Sequence, residues 1–412
     1  MSQGNSAQPK ENSPFTPGQP APPEMFTGRR EEIQRLRRCI MQTAAGKPQA
    51  VFICGERGLG KSSLARFSEF LVIQDNALVP TDVKFMSAYS TCGACKDVTD
   101  VCKLIVQNLT ADITEESRLE KARQLLGRYI DDISIPLPGF RLNVKLKRSA
   151  EDLKDLRLNM PDVVADLWRI MQERKKGVMI ILDEVNGITS QADFANFIKT
   201  FWEDLGARRL PVLLILVGLE QRLADLIQAN ESVGRIFERI LLQPMTLEDS
   251  RAFFQNAFGR VNLSMTDNAD LFLAELSGGF PVMMHELGDA TFWENKDQEI
   301  DVEKDALSGS FAAARRIGEK YFSPQVYREV QSETYRRILF HTVADSVFPG
   351  EIHRRKLQAS LPGEDARTLD NFFSRMVKLG VMRRKRAGVY EYTFPMFPLY
   401  LGLERMKQEA GK

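Results

Sequence analysis

Residues 50–62 constrain this chain more than any other stretch. The short apolar run Ala50–Cys54 (AVFIC) leads directly into Gly55–Ser62 (GERGLGKS), and a helix is expected from about Lys61. Gly55, Gly58 and Gly60 fall where a tight turn has no room for side chains, in the pattern G-x-x-x-x-G-K-[ST]. Such a loop wraps phosphate oxygens in backbone N–H groups, and the positive end of the following helix adds to the site. Lys61 would reach the outer phosphates and Ser62 would ligate Mg²⁺. Residues Gly55, Glu56, Arg57, Gly58, Leu59, Gly60, Lys61, Ser62 and Ser63 are therefore the candidate phosphate contacts.

A second motif lies 121 residues beyond Ser62, where the apolar run Val178–Leu182 (VMIIL) ends in Asp183-Glu184. Asp183 would hold the Mg²⁺ shell, and Glu184 would orient and activate an attacking water. Between the motifs, Val83–Ala88 reads as a strand and residues 93–130 as largely helical. Ile133–Leu146 reads as a hairpin, because Phe140, Leu142, Val144 and Leu146 alternate with polar residues beside Pro138-Gly139. Val212–Val217 is a further buried strand and Ile240–Leu242 a short one. Arg29–Ile40, Val163–Arg174 and Phe194–Leu205 carry helical periodicity. Apolar strands alternating with helices imply a mainly parallel sheet covered on both faces, a three-layer α/β nucleotide-binding core. After Pro244 the strands stop and helices follow.

Composition limits the alternatives. The 412 residues suit two or three domains, and a net charge of +1 excludes a chain-wide polyelectrolyte. Runs free of polar side chains are too short for a membrane span, which needs about 20 residues. Five cysteines, an odd number, do not form a disulfide framework and fit a reducing cytoplasm. Cys92 and Cys95 form C-x-x-C without the fourth ligand that structural zinc needs. Six of the 19 prolines lie in residues 1–24, which read as a disordered leader.

Phe26-Thr27-Gly28-Arg29, followed by Glu32, Ile33 and Leu36, resembles the box that opens origin-recognition-type AAA+ ATPases and the related STAND signalling ATPases. The resemblance implies ATP as ligand, a core sheet of order 5-1-4-3-2, and a base pocket lined by Phe26, Gly28 and Arg29. Ser277–Pro281 (SGGFP) resembles the element of the helical lid whose proline, here Pro281, closes over the nucleotide. It also implies an arginine finger, often acting on a neighbouring subunit. Arg235 and Arg239 are the candidates, with Arg239 favoured. Two departures stand out. Val212–Val217 ends in Gly218-Leu219-Glu220 instead of a polar residue sensing the outer phosphate. The lid has no sensor arginine, and His285 is either near the phosphates or a buried structural histidine.

Residues 350–412 hold 13 Lys and Arg against seven Asp and Glu. Two helices with basic faces precede a hairpin, GVMRRKRAGVYEYTF, and the whole resembles a winged helix. Arg383, Arg384, Lys385 and Arg386 would then meet duplex DNA, with a salt slope of about −3.6 for four phosphate contacts. Winged helices at the ends of STAND-type ATPases also pack as locks without touching DNA. The expected organisation is a leader (1–24), an ATPase core (25–245), a helical lid (246–300), and linker helices with a winged helix (301–412). The expected function is an ATP-hydrolysing switch, oligomeric in a nucleotide-dependent way, acting on DNA or on a protein partner.

Overall fold

The apolar runs become neighbours in one sheet. In the computed structural model, residues 12–127, 132–137, 140–145, 155–323, 332–344 and 350–410 are described. They divide into two compact units: Pro20–Gln243, and Met1–Gln19 together with Pro244–Lys412.

The strands of the first unit are β1 (Gln49–Cys54), β2 (Phe85–Thr91), β3 (Asp132–Leu137), β4 (Phe140–Lys145), β5 (Gly177–Asp183), β6 (Val212–Gly218) and β7 (Glu238–Leu241). Five of them form one sheet in the order β2-β5-β6-β1-β7, and every neighbouring pair is parallel. Counted among core strands alone, this is 5-1-4-3-2, the order the resemblance implies. β3 and β4 pair antiparallel as the expected hairpin, inside the insertion between the two motifs. Every residue of β5 and β6 is buried. Each large apolar side chain there contributes about 1.5–3 kcal/mol by leaving water.

The helices of this unit are α1 (Arg30–Ala44), α2 (Lys61–Ile73), α3 (Val98–Ala111), α4 (Glu116–Leu126), α5 (Asp155–Met171), α6 (Ala192–Ala207) and α7 (Glu220–Ala229). Ala50, Phe52 and Cys54 of β1 share one core cluster with apolar residues of α3 to α7. Helices α1 and α2 pack on the sheet with side chains outside that cluster, so the sheet is sandwiched. Both motifs end up at the carboxyl edge, where ligands of open parallel sheets bind.

The second unit contains α8 (Leu247–Gly259), β8 (Ser264–Met265), α9 (Asp267–Ser277), α10 (Pro281–Glu294), β9 (Glu299–Ile300), α11 (Leu307–Ile317) and α12 (Glu333–Thr342). β8 and β9 form a two-residue parallel pair, a small departure from the all-helical expectation. Beyond them lie β10 (Ile352–His353), α13 (Arg354–Ser360), α14 (Gly363–Arg367), α15 (Leu369–Lys378), β11 (Met382–Arg386), β12 (Val389–Tyr392) and α16 (Met396–Ala410). The last three short strands form a sheet in the order β10-β12-β11. α15 buries Leu369, Phe372, Phe373 and Met376, and Phe373 stacks on Tyr390 of β12 at 3.8 Å between ring centres. α16 docks Phe397 and Tyr400 against Phe322.

Residues 12–24 depart from the disordered leader that their prolines suggest. Phe15 is only 4% exposed, with its ring centre 5.0 Å from that of Phe258 and 6.0 Å from that of Phe253. A Cβ on Gly288 would stand 2.2 Å from that ring, so glycine in α10 makes the seat. A single aromatic anchor is invisible to a composition argument.

Candidate nucleotide site

The loop is built as its glycines require. Gly55, Gly58 and Gly60 all have positive φ, at 146°, 81° and 84°. A Cβ on Gly55 would stand 2.8 Å from the backbone oxygen of Leu242, so only glycine fits there. Leu59 is buried beneath the turn, and Gly60 caps α2 in the left-handed region, so the helix begins at Lys61. Lys61 Nζ donates to the carbonyls of Gly55 (3.1 Å) and Glu56 (2.7 Å). Burial pulls its ammonium down to about 8, while the Asp183 carboxylate pushes the other way. The two motifs, far apart in sequence, are thus electrostatic neighbours.

Asp183 closes β5 at 5% exposure. Its Oδ1 accepts from the Glu184 N–H at 2.8 Å, and its Oδ2 accepts from the Tyr89 hydroxyl at 2.5 Å. Glu184 is exposed and adopts a left-handed backbone, φ 57°. That conformation turns the chain off the strand and presents the second carboxylate to solvent. Its Oε2 lies 2.7 Å from where a Cβ on Gly93 would be, so the loop after β2 backs it closely. The loop is Cys92–Cys95: Cys92 N–H donates to Asp183 O (2.7 Å), and Cys95 N–H to Cys92 O (3.0 Å). Both cysteines are free thiols held above their usual range, chiefly by burial, and no group of three or more His, Cys, Asp and Glu that could hold a metal ion occurs among the described residues.

The opening box packs beside the loop. Phe26 stacks on Phe67 of α2, with ring centres 4.6 Å apart. Gly28 and Arg29 both have positive φ, which redirects the chain into α1. Arg29 is 9% exposed; it donates to the Leu59 carbonyl at 3.1 Å and pairs with Glu32 at 3.4 Å. In this structure it braces the phosphate loop from behind. Ser63 Oγ accepts from the Ala21 N–H at 3.0 Å.

The structure also distinguishes the two finger candidates. Arg239 pairs with Glu220 of α7, and its guanidinium meets the buried Cys54 thiol at the end of β1. Arg35 holds the Arg239 carbonyl at 2.6 Å. The favoured Arg239 is therefore tied within its own unit. Arg235 is exposed at the end of a short 3-10 turn and has no ion pair among the described residues.

Two residues escaped the sequence reading. Asn186, three residues past Asp183, accepts the Leu219 N–H on Oδ1 at 2.9 Å. It thus brings a polar side chain to the end of β6, where β6 itself supplies none. Tyr89 sits one strand from Asp183, and only the β2–β5 register brings them together.

In the second unit, Pro281 occupies the first turn of α10, after Gly278 has closed α9 with φ 60°. The Gly-Gly-Phe-Pro run thus ends one helix and starts the next. His285 is not a free phosphate ligand: its Nδ1 accepts the Thr16 N–H at 3.1 Å, and burial lowers it to about 4. It is a neutral, structural histidine. Of the four expected DNA contacts, three are paired: Arg383 with Glu391 (2.6 Å), Lys385 with Glu351 (3.1 Å) and Arg386 with Glu351 (3.0 Å). Arg384 is exposed and has no ion pair among the described residues.

Residues 25–215 match the AAA ATPase domain family. No curated protein matches the chain in sequence. Among solved structures, the Walker-type ATPase PABY2304 of Pyrococcus abyssi is similar at 16% identity and TM-score 0.53, over 92% of this chain and 97% of that one. The Aeropyrum pernix ORC2 protein, in ADPNP–ADP complexes, aligns at 13% identity and TM-score 0.47, over 92% and 95% of the two chains. The Thermotoga maritima RuvB Holliday junction branch migration motor aligns at 15% identity and TM-score 0.45, over 88% and 92%. At these identities the Pyrococcus likeness speaks for the fold alone. No helix among the described residues is long and apolar enough to cross a membrane.

Proposed function

We propose that this chain is an AAA+-type switch that binds ATP with Mg²⁺ and hydrolyses it. One observation carries the reading: the glycine loop and the buried Asp183 converge on Lys61 at the carboxyl edge of a parallel sheet. The donor chemistry suits Mg²⁺, since Ser62 offers a hydroxyl and Asp183 a carboxylate, both hard oxygens. When bound, the ion offsets phosphate charge. Lys61 would exchange its two loop carbonyls for phosphate oxygens, and exposed Glu184 would orient the attacking water. Phe26 and Gly28 remain candidates for the base pocket, with Arg29 supporting the loop. A finger acting on a neighbouring subunit falls to Arg235 more readily than to Arg239, which would first have to leave Glu220.

Residues 350–410 run from the short strand β10 through three helices, α13 to α15, to the β11–β12 hairpin, an order similar to that of a winged helix, and two readings of it stand. In the first, nucleotide state governs association with duplex DNA. Arg384, with Arg355 and Lys356 at the start of α13, is exposed and has no ion pair among the described residues. In the second, STAND-like reading, the module passes nucleotide state to a protein partner. The pairing of Arg383, Lys385 and Arg386 with Glu351 and Glu391 favours it, because those cations already have carboxylates. Steady-state ATP turnover across protein concentration, with and without duplex DNA, separates the two. Activity that rises with concentration and again with DNA supports a shared site assembled on nucleic acid. Flat, slow turnover indifferent to DNA supports the protein switch. No turnover, with no ATP binding, would refute the ATPase reading itself.

A further inference from the structure

We propose that Tyr89 is a positioning residue for the metal: its hydroxyl fixes the Asp183 carboxylate in the orientation that receives Mg²⁺. The inference rests on the ATPase reading and adds to it a residue outside both motifs.

Thr91 stands opposite Asp183 in the parallel register of β2 and β5, and Tyr89 opposite Ile181. Side chains two apart on a strand share a face. Tyr89 therefore lies on the Asp183 face, one step back along the neighbouring strand. With strands about 4.8 Å apart and a rise of about 3.3 Å per residue, such diagonal neighbours are about 8 Å apart, which a phenol can span and a short polar side chain cannot. The 2.5 Å hydrogen bond to Oδ2 is the outcome.

The phenol is itself held. The Arg66 guanidinium lies 3.4 Å from the centre of the Tyr89 ring, and Glu69 pairs with Arg66 at 3.5 Å. Asn108 of α3 donates to the Tyr89 carbonyl at 2.8 Å and to Ser90 Oγ at 2.9 Å, fixing the strand beneath it. Asp183 thus has one oxygen on its neighbour's backbone N–H and one on a clamped phenol. A carboxylate oxygen has two lone pairs, so each keeps one for the metal shell. Without the phenol, only the Glu184 N–H would orient the group, and the carboxylate could rotate. Groups that orient a metal ligand change metal affinity by about 10–100-fold when removed.

The test is Tyr89→Phe in the full chain, which removes one oxygen and keeps the ring under Arg66. Binding of a non-hydrolysable ATP analogue is measured first in EDTA, then as a function of MgCl₂. The expected result is unchanged affinity in EDTA and a MgCl₂ midpoint raised about tenfold. An unchanged midpoint would overturn the proposal. A lowered midpoint would overturn it too, because the phenol would then be masking Asp183. Affinity lost already in EDTA would also overturn it, by showing that the phenol supports the phosphate loop generally. If the unmodified chain shows no Mg²⁺-dependent binding of the analogue, the ATPase reading itself fails. Binding by the unmodified chain with an indifferent Tyr89→Phe variant rejects only the role of Tyr89.

Discussion

At Gly55, geometry and chemistry meet in one missing methyl group. A Cβ there would press on the Leu242 carbonyl at 2.8 Å, in a backbone region that strains any other residue. Gly55→Ala should therefore distort the loop and weaken ATP binding at least tenfold, about 1.4 kcal/mol; a binding isotherm at fixed Mg²⁺ checks this. Lys61→Ala should abolish binding or turnover, whereas Glu184→Gln should keep ATP bound and stop its hydrolysis. Binding and phosphate release, measured separately, distinguish the two. His285 gives a pH signature. Burial holds it near 4, below its unfolded value of about 6.5, so the folded state binds fewer protons. Its neutral form is fully compatible with the fold above about pH 6.5, and stability is lost as pH falls from there toward 4. Asp289 opposes the shift but does not cancel it. Between pH 8 and pH 5 the loss should be about 2 kcal/mol. Urea midpoints should show it in the unmodified chain and not in His285→Gln.

Two elements behave differently from their composition. The N-terminal segment is proline-rich, yet Phe15 anchors it among Phe253, Phe254 and Phe258. Phe15→Ala should remove most of a buried aromatic's contribution, about 3 kcal/mol, and release the segment. Limited proteolysis should then cut residues 12–24 well before the rest of the chain. Gly288→Ala should do the same from the other side, since its methyl would occupy the ring's place. The basic hairpin is the second case. Surface ion pairs are individually weak, about 0–1 kcal/mol, so Glu351 and Glu391 hold its cations without locking them. If the module meets DNA, Arg384→Ala should flatten the salt dependence of log K by about 0.9. Replacing Glu351 and Glu391 with Gln should raise affinity and steepen that dependence. Neither change should matter to a switch that acts on protein.

For the whole molecule, the central prediction concerns assembly. If Arg235 reaches a neighbour's phosphate, Arg235→Ala should leave ATP affinity intact and remove the rise of specific activity with protein concentration. Arg239→Ala should have less effect on that rise, and little effect on stability, because its pair with Glu220 is exposed. Mixing Arg235→Ala with Lys61→Ala chains gives a sharper result. A shared site should keep some activity in the mixture, because one partner still supplies Arg235 and the other an intact loop. A self-contained site should show no activity beyond the sum of the two variants.

The sequence alone determined whatever depends on neighbours along the chain. The glycine spacing defined the phosphate loop, unbroken apolar runs marked buried parallel strands, and a strand ending in Asp183-Glu184 marked the metal side. Hairpin alternation was legible around Pro138-Gly139, although those two residues lie outside the described ones. Tertiary structure decided what depends on neighbours across space. Tyr89 reaches Asp183 only because β2 and β5 pair in one register, and Asn186 serves β6 only because the strands adjoin. Arg239 looked available until Glu220 and Cys54 were placed beside it, and three of the four hairpin cations looked free until Glu351 and Glu391 were. The physical reason is the same throughout. Local motifs fix backbone conformation and face, whereas a charge or hydroxyl is committed by whatever lies within about 3 Å of it, and that is set by packing between segments remote in sequence.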